Sequence, residues 1–169
     1  MTGLIVPPGR GRRIHTGAQD VTFKVTGEHS RAASSFEVVV PPGFDVGAHV
    51  HTRSEELFYV IDGELDLLAF EPRERTGNWR EWENDEGERV IRAGPGSVMF
   101  VPPGCPHAFA NPGKTDAKMF FQSSPPTHHE HYFEELLEIL DAPGPVDHAA
   151  IAELRIRSDI EQLTPLQFG

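Results

Sequence analysis

The stretch Gly43-Phe44-Asp45-Val46-Gly47-Ala48-His49-Val50-His51-Thr52-Arg53-Ser54-Glu55-Glu56-Leu57-Phe58-Tyr59-Val60-Ile61-Asp62-Gly63 sets two histidines and a carboxylate between two glycines. His49 and His51 are two apart. On a strand, that spacing puts both imidazoles on one face, roughly 7 Å apart along the chain. Glu56 follows across a short turn, where the next strand begins, and can bring a carboxylate oxygen to the same centre. A second stretch runs from Gly96 through Pro102-Pro103-Gly104 to His107 and Asn111. Its glycines and prolines predict a tight turn that holds His107 at a strand start. A fourth ligand from a distant strand is what a barrel interior needs to close around an ion. Three imidazoles and one carboxylate suit a divalent Fe, Mn, Ni, Co, Cu or Zn ion without choosing among them. Four protein ligands in an octahedral field leave two positions open for water, oxygen or a substrate atom.

Around these stretches the chain reads as short strands. Residues 1–20 are rich in Gly, Pro and Arg and predict an extended arm or edge strand. Residues 21–26 alternate, as do Phe36 to Val40, where the charged Glu37 turns Phe36, Val38 and Val40 inward. Strands are expected at 49–51 and 56–61, with Asp62-Gly63 as a hairpin signal and a return strand over 64–70. Further strands fall at 90–92, 98–101, 108–110 and 118–122, and such a series suggests a sandwich or barrel. The polar stretch 71–89, with Trp79 and Trp82, is long for a hairpin loop. Such a loop can cap the barrel mouth, meet a partner, or form an exposed acidic loop whose indoles pack locally.

The pattern changes after Pro125-Pro126. Thr127 and Glu130 have capping-box spacing, and Phe133, Leu136, Leu137 and Leu140 form a helical stripe. Pro143-Gly144-Pro145 breaks that helix, and Asp147 caps a second one carrying Ile151 and Leu154. Residues 1–125 are therefore read as the β-rich part with an N-terminal arm. Residues 126–169 are a helical extension of the same domain, packed on it or on a partner subunit.

The chain has 169 residues, enough for one domain with a substantial core. Its formal net charge of −11 argues against phosphate backbones and anionic membrane surfaces as partners. A single cysteine, Cys105, permits no internal disulfide and fits a reducing cytoplasm. No apolar stretch follows Arg10, Arg12 and Arg13, so neither a signal peptide nor a membrane span is expected.

The two spaced stretches resemble the paired motifs of the cupin superfamily at every defining position, and the resemblance covers about Phe36 to Gln122. It implies an all-β double-stranded β-helix, or jelly-roll barrel, with a short C-terminal helical extension. It also implies His49, His51, Glu56 and His107 as ligands of one divalent metal ion. The stretch from Gly63 to Gly96 is longer than in compact cupins, so the family pattern does not account for the Trp79–Trp82 loop. Thr22 to Glu37, the single barrel and the tail starting His131-Tyr132-Phe133 further resemble small bacterial cupins of the quercetin dioxygenase-like type. That likeness implies a metal-dependent oxidoreductase opening an aromatic or enolic compound with molecular oxygen, with Glu56 also acting as the base. Cupins include isomerases, cyclases and lyases that use the ion as a Lewis acid, and non-catalytic binding proteins, so these stand as alternatives.

Strand parity predicts the pocket walls. Glu56 inward brings Phe58 and Val60 inward, and His107 brings Phe109. Met119 and Phe121 face in because Lys118 and Gln122 prefer water. With Phe36 and Val38 they form an apolar, aromatic chamber for a small-molecule substrate. Glu55 is expected outward and Cys105 is read as a turn residue. His128, His129 and His131 are placed at a solvated helix terminus. Edge strands, arm and helices suit a homodimer.

Overall fold

The computed structural model describes residues 2–16, 18–126 and 129–167. Their strands are β1 (Arg12–His15), β2 (Asp20–Val25), β3 (Ser34–Val40), β4 (His49–Val50), β5 (Glu55–Asp62), β6 (Leu65–Ala69), β7 (Ile91–Ala93), β8 (Val98–Val101), β9 (His107–Ala110), β10 (Ala117–Ser124) and β11 (Glu161–Gln162). Two helices, α1 (His129–Asp141) and α2 (His148–Arg157), follow β10. The strands form two antiparallel sheets, in the orders β1-β2-β3-β10-β5-β8 and β11-β4-β9-β6-β7.

Alternation decides what each strand buries. On β3, Phe36, Val38 and Val40 are buried while Glu37 and Val39 are partly exposed. On β10, Met119 and Phe121 turn inward and Lys118 and Gln122 outward. The inner faces of both sheets share one core: Phe58 of β5 stacks on Phe121 of β10 and tilts against Phe109 of β9. Tyr132, Phe133 and Leu136 of α1 and Ile151 and Leu154 of α2 belong to that same core. The extension therefore packs on its own sheets. Asp147 caps α2 by accepting from Ala150 N. Thr127, the expected first member of the capping box, lies outside the described residues. Glu130, the expected second member, accepts from Gly27 N at 3.0 Å.

Asp62-Gly63 does not close a hairpin. β5 pairs with β8 and β10, whereas β6 pairs with β7 and β9, so the chain turns a corner there and changes sheet. Gly63 makes the corner possible. It sits at φ +74°, and a Cβ there would lie 2.8 Å from Ala117 Cα. The turn signal was sound, but pairing is decided by which strands the core brings alongside.

The loop after β6 is acidic and exposed over most of its length, as one of the expected readings had it, while its two indoles turn inward rather than capping the mouth. Trp79, in a 3₁₀ turn, and Trp82 are both 2% exposed. They pack on the outer face of the second sheet with Ala48, Leu68, Ala108 and Ala110. β9 reads His-Ala-Phe-Ala: His107 and Phe109 face the interior, and two small alanines on the other face leave room for indoles. That is why all four residues of β9 are buried. Each indole removes roughly 200 Å² from water, about 5 kcal/mol before entropy. Buried Asp45 anchors the loop by accepting from Trp79 Nε1 at 2.9 Å and Arg80 Nη1 at 2.6 Å.

Candidate metal centre

His49 opens β4 directly opposite His107, which opens β9, so one cross-strand pair supplies two imidazoles from one sheet. His51 follows just past the end of β4, and Glu56 reaches in from β5 of the other sheet. One ligand atom from each of the four lies within 4.8 Å of all the others, and all four residues are buried. Glu56 Oε2 is 3.0 Å from His107 Nε2, and Oε1 is 3.3 Å from His51 Nε2. Neighbouring Glu55 points outward and is exposed.

The backbone sets the tautomers. His49 Nδ1 faces Gly47 O at 2.9 Å, His51 Nδ1 faces Asp159 O at 2.9 Å, and His107 Nδ1 faces Cys105 O at 3.1 Å. A carbonyl oxygen only accepts, so each Nδ1 carries the proton and donates it. Each Nε2 is left with its lone pair toward the centre, the arrangement in which outer partners orient metal-binding histidines. Gly47 is at φ +69°, and a Cβ there would meet Gln162 Nε2 at 2.4 Å and Thr164 O at 2.5 Å. Only glycine lets the chain approach β11 closely enough to aim His49.

The protonation states agree. Burial, and then the neighbouring His107 and His51, hold His49 well below its ordinary value. Burial brings His51 down to about 4. For Glu56, burial alone would raise the pKa. The imidazoles of His51, His107 and His129 outweigh it and keep the carboxyl well below the usual range. His49 and His51 are therefore held neutral beside the Glu56 carboxylate. Despite the short separations, Glu56 Oε1 and Oε2 and His107 Nε2 are buried without a hydrogen-bond partner. Orphaned buried acceptors converging on one point are costly unless a cation sits among them. The donor set fits one divalent transition-metal ion.

The sequence places His129 at a solvated terminus, whereas in the structure it is buried in the first turn of α1. Its Nε2 is 3.4 Å from Glu56 Oε1, and its ring stands edge-on to Phe121. The signal was present, since His129 precedes Phe133 by four and Leu136 by seven, on the same helical stripe. His131 is exposed and pairs with Glu134, and His128 lies outside the described residues. Burial raises the pKa of Cys105, so it stays a thiol, and its carbonyl orients His107.

A cavity of about 70 Å³ adjoins the centre. Val38, Phe58, Phe109, Met119 and Phe121 lie on its wall, as do Tyr132, Phe133 and Arg155 of the two helices. Phe36 and Val60 are buried behind that wall and do not line it. Tyr132, Arg155 and Asp159 enter the site from a segment whose sequence shows only helical periodicity.

Two facing antiparallel sheets with a His-His-Glu/His centre between them define a class of small metal-binding β-proteins. The chain belongs to the Cupin family, whose sequence pattern matches residues 11–142. It is 31% identical over 124 residues to Protein SchB of Streptomyces halstedii, covering 71% of this chain and 72% of that one. It is 29% identical over 98 residues to an uncharacterized protein of Methanocaldococcus jannaschii. That alignment covers 56% of this chain and 62% of the relative's length. Among solved structures, an RmlC-like cupin from Shewanella frigidimarina superposes with a TM-score of 0.57 at 15% identity, over 76% of this chain and 96% of that one. At that identity the likeness concerns the fold.

Proposed function

We propose that the protein is a metal-dependent oxidoreductase of the quercetinase-like type, which uses molecular oxygen on a small aromatic or enolic compound. The observation that carries this reading is Glu56. Its carboxylate is 2% exposed, held ionised, and set at the edge of an apolar, aromatic cavity. A base in that position can take the proton of an enolic or phenolic hydroxyl. His49, His51, Glu56 and His107 would hold the ion, which when bound lowers the pKa of a coordinated hydroxyl and activates the substrate toward oxygen. The chain's own part is to position the hydroxyl, accept its proton at Glu56, and exclude water with Phe58, Phe109 and Phe121.

The free volume beside the centre is about 70 Å³, against roughly 300–1,000 Å³ for a typical ligand site. A substrate smaller than a three-ring flavonol fits this space best, and a flavonol would have to displace the α1–α2 cover. His129 Nε2 beside Glu56 favours a second reading. Two proton-transfer groups side by side suit an isomerase, cyclase or lyase that uses the ion as a Lewis acid and consumes no oxygen. The proposed setting is the cytoplasm, as the lone cysteine suggests. The proposed assembly is a homodimer, supported by the exposed apolar Tyr59, Val98 and Phe100 on the outer face of β5 and edge strand β8.

The test begins with elemental analysis of protein purified without chelators or a metal-affinity tag. An oxygen electrode then screens flavonols and smaller enols. Oxygen uptake that tracks product and is lost in Glu56→Gln supports the oxidoreductase. Product without uptake moves the assignment to the second reading. Full turnover by metal-loaded Glu56→Gln removes Glu56 as the base.

A further inference from the structure

Arg155 lies in the last turn of α2 and is 5% exposed, as buried as the ligand histidines. Among the described residues no carboxylate pairs with its guanidinium. Nη1 donates to Tyr132 Oη at 3.2 Å, and Nε is buried without a partner. The group lines the cavity that holds the metal ligands. It also lines a second, outer cavity of about 620 Å³, formed by α2 and the segment around Asp159 to Leu166. Arg155, with Ile160 and Leu166, thus lies between the metal-site cavity and a roomier space beyond.

An unpaired guanidinium in an apolar interior is among the more expensive groups a fold can keep. A purely structural arginine would have its fork filled by carboxylates or carbonyls, and this one keeps a donor unused. Charge points the same way. Glu56 is the one carboxylate of the four-residue centre, so a divalent ion held there would, together with Arg155, leave the cavity net positive. A guanidinium's fork matches a carboxylate, and such charge-assisted bonds are the strong ones in a dry site.

We infer that Arg155, with Tyr132 beside it, forms an anion subsite, and that the natural substrate carries a carboxylate that docks on Arg155 while its enolic or phenolic oxygen faces Glu56. The substrate class rests on the function proposed above, whereas the anion subsite does not. Tyr132 holds the guanidinium in place and has a hydroxyl available to the same anion. The outer cavity offers the acid a route in from the side of α2.

The test uses propionate and its neutral isostere propionamide, titrated calorimetrically into metal-free and metal-loaded protein. The Arg155 Nε–H resonance is followed in parallel. Propionate is expected to bind about ten- to hundredfold more tightly than propionamide in both forms, and to shift that resonance. Arg155→Met is expected to lose the preference while keeping its metal stoichiometry, and Arg155→Lys to keep part of it. Equal binding of the two probes, or a preference that survives in Arg155→Met, overturns the subsite. If Arg155→Met does not fold, the wild-type comparison and the resonance decide. Protein that takes up no metal yet prefers propionate retains the subsite and loses the proposed enzyme. Turnover of carboxylated and neutral enols with equal kcat/KM retains the enzyme and removes the acidic substrate.

Discussion

His51 donates from Nδ1 to the main-chain oxygen of Asp159 at 2.9 Å, so a metal-centre imidazole is aimed by a residue 108 positions further along the chain. Asp159 adopts φ 59°, and its carboxylate accepts from Thr52 N at 3.0 Å, Thr52 Oγ1 at 2.6 Å and Arg53 N at 2.9 Å. The turn after α2 is thereby clamped to the loop between β4 and β5. Replacing Asp159 with glycine keeps the backbone angle and removes only the clamp. Metal affinity of Asp159→Gly, read by competition with a chelator, is expected to fall about 10- to 100-fold, the usual range for an outer partner of a metal-bound histidine. Unchanged affinity would mean that β4 alone orients His51.

Metal removal should cost stability, because the orphaned oxygens of Glu56 and Nε2 of His107 lose the cation that answers them. At a free-ion concentration about 1,000 times the dissociation constant, linkage gives about 4 kcal/mol. Thermal melts with and without chelator should separate accordingly in wild-type protein, and coincide in the His49→Ala, His107→Ala double variant. A chelator-sensitive melt in the double variant would place the ion elsewhere.

Acid should unfold the metal-free protein in a particular window. The pKa of His51 is depressed to about 4 in the folded state and returns to about 6.5 when unfolded. Between those values the unfolded chain binds more protons, so stability rises with pH across the window and is lost as pH falls from 6.5 toward 4. His49, also depressed by burial, adds in the same direction. Urea midpoints of the chelated protein at several pH values check this. A midpoint that stays flat from pH 6.5 to 4.5 would show that the histidines are not buried neutral.

Trp79→Ala should destabilise the protein by about 3–5 kcal/mol, the range for a buried aromatic. It removes the cover from Ala108 and Ala110 and leaves Asp45 without its indole donor. Because Trp79 lies on the far face of β9 from His107, the variant should still bind one ion per chain when folded. Denaturant titration and elemental analysis read the two effects separately. Stability within 1 kcal/mol of wild type would place the loop outside the core, a bound set by the usual scatter of surface substitutions.

Local chemistry written in the sequence is enough to find the four ligands. A two-residue spacing on a strand has one geometric outcome, and glycines and prolines with restricted backbone angles mark where the His107 strand begins. The alternation of Phe36, Val38 and Val40, and of Met119 and Phe121, likewise fixes which way each side chain points, because the period of a strand is two. The stripe on α1 and the Asp147 cap are equally local. What no local rule contains is which strand lies beside which. Gly63 announces a turn, yet whether β5 folds back on β6 or crosses to the other sheet depends on the energy of the whole core. The same holds for Trp79 and Trp82, whose destination is a surface of alanines supplied by β9 and the residue before β4. His129, Arg155 and Asp159 reach the metal centre only because two helices close over the cavity, and the sequence shows an apolar stripe without saying what it covers. The sequence by itself determined the ligands and the facing of the strands, since spacing and backbone restriction act within a few residues. Only the tertiary structure decided the sheet change at Gly63, the indole cover and the buried cation at Arg155, because long-range burial sets those.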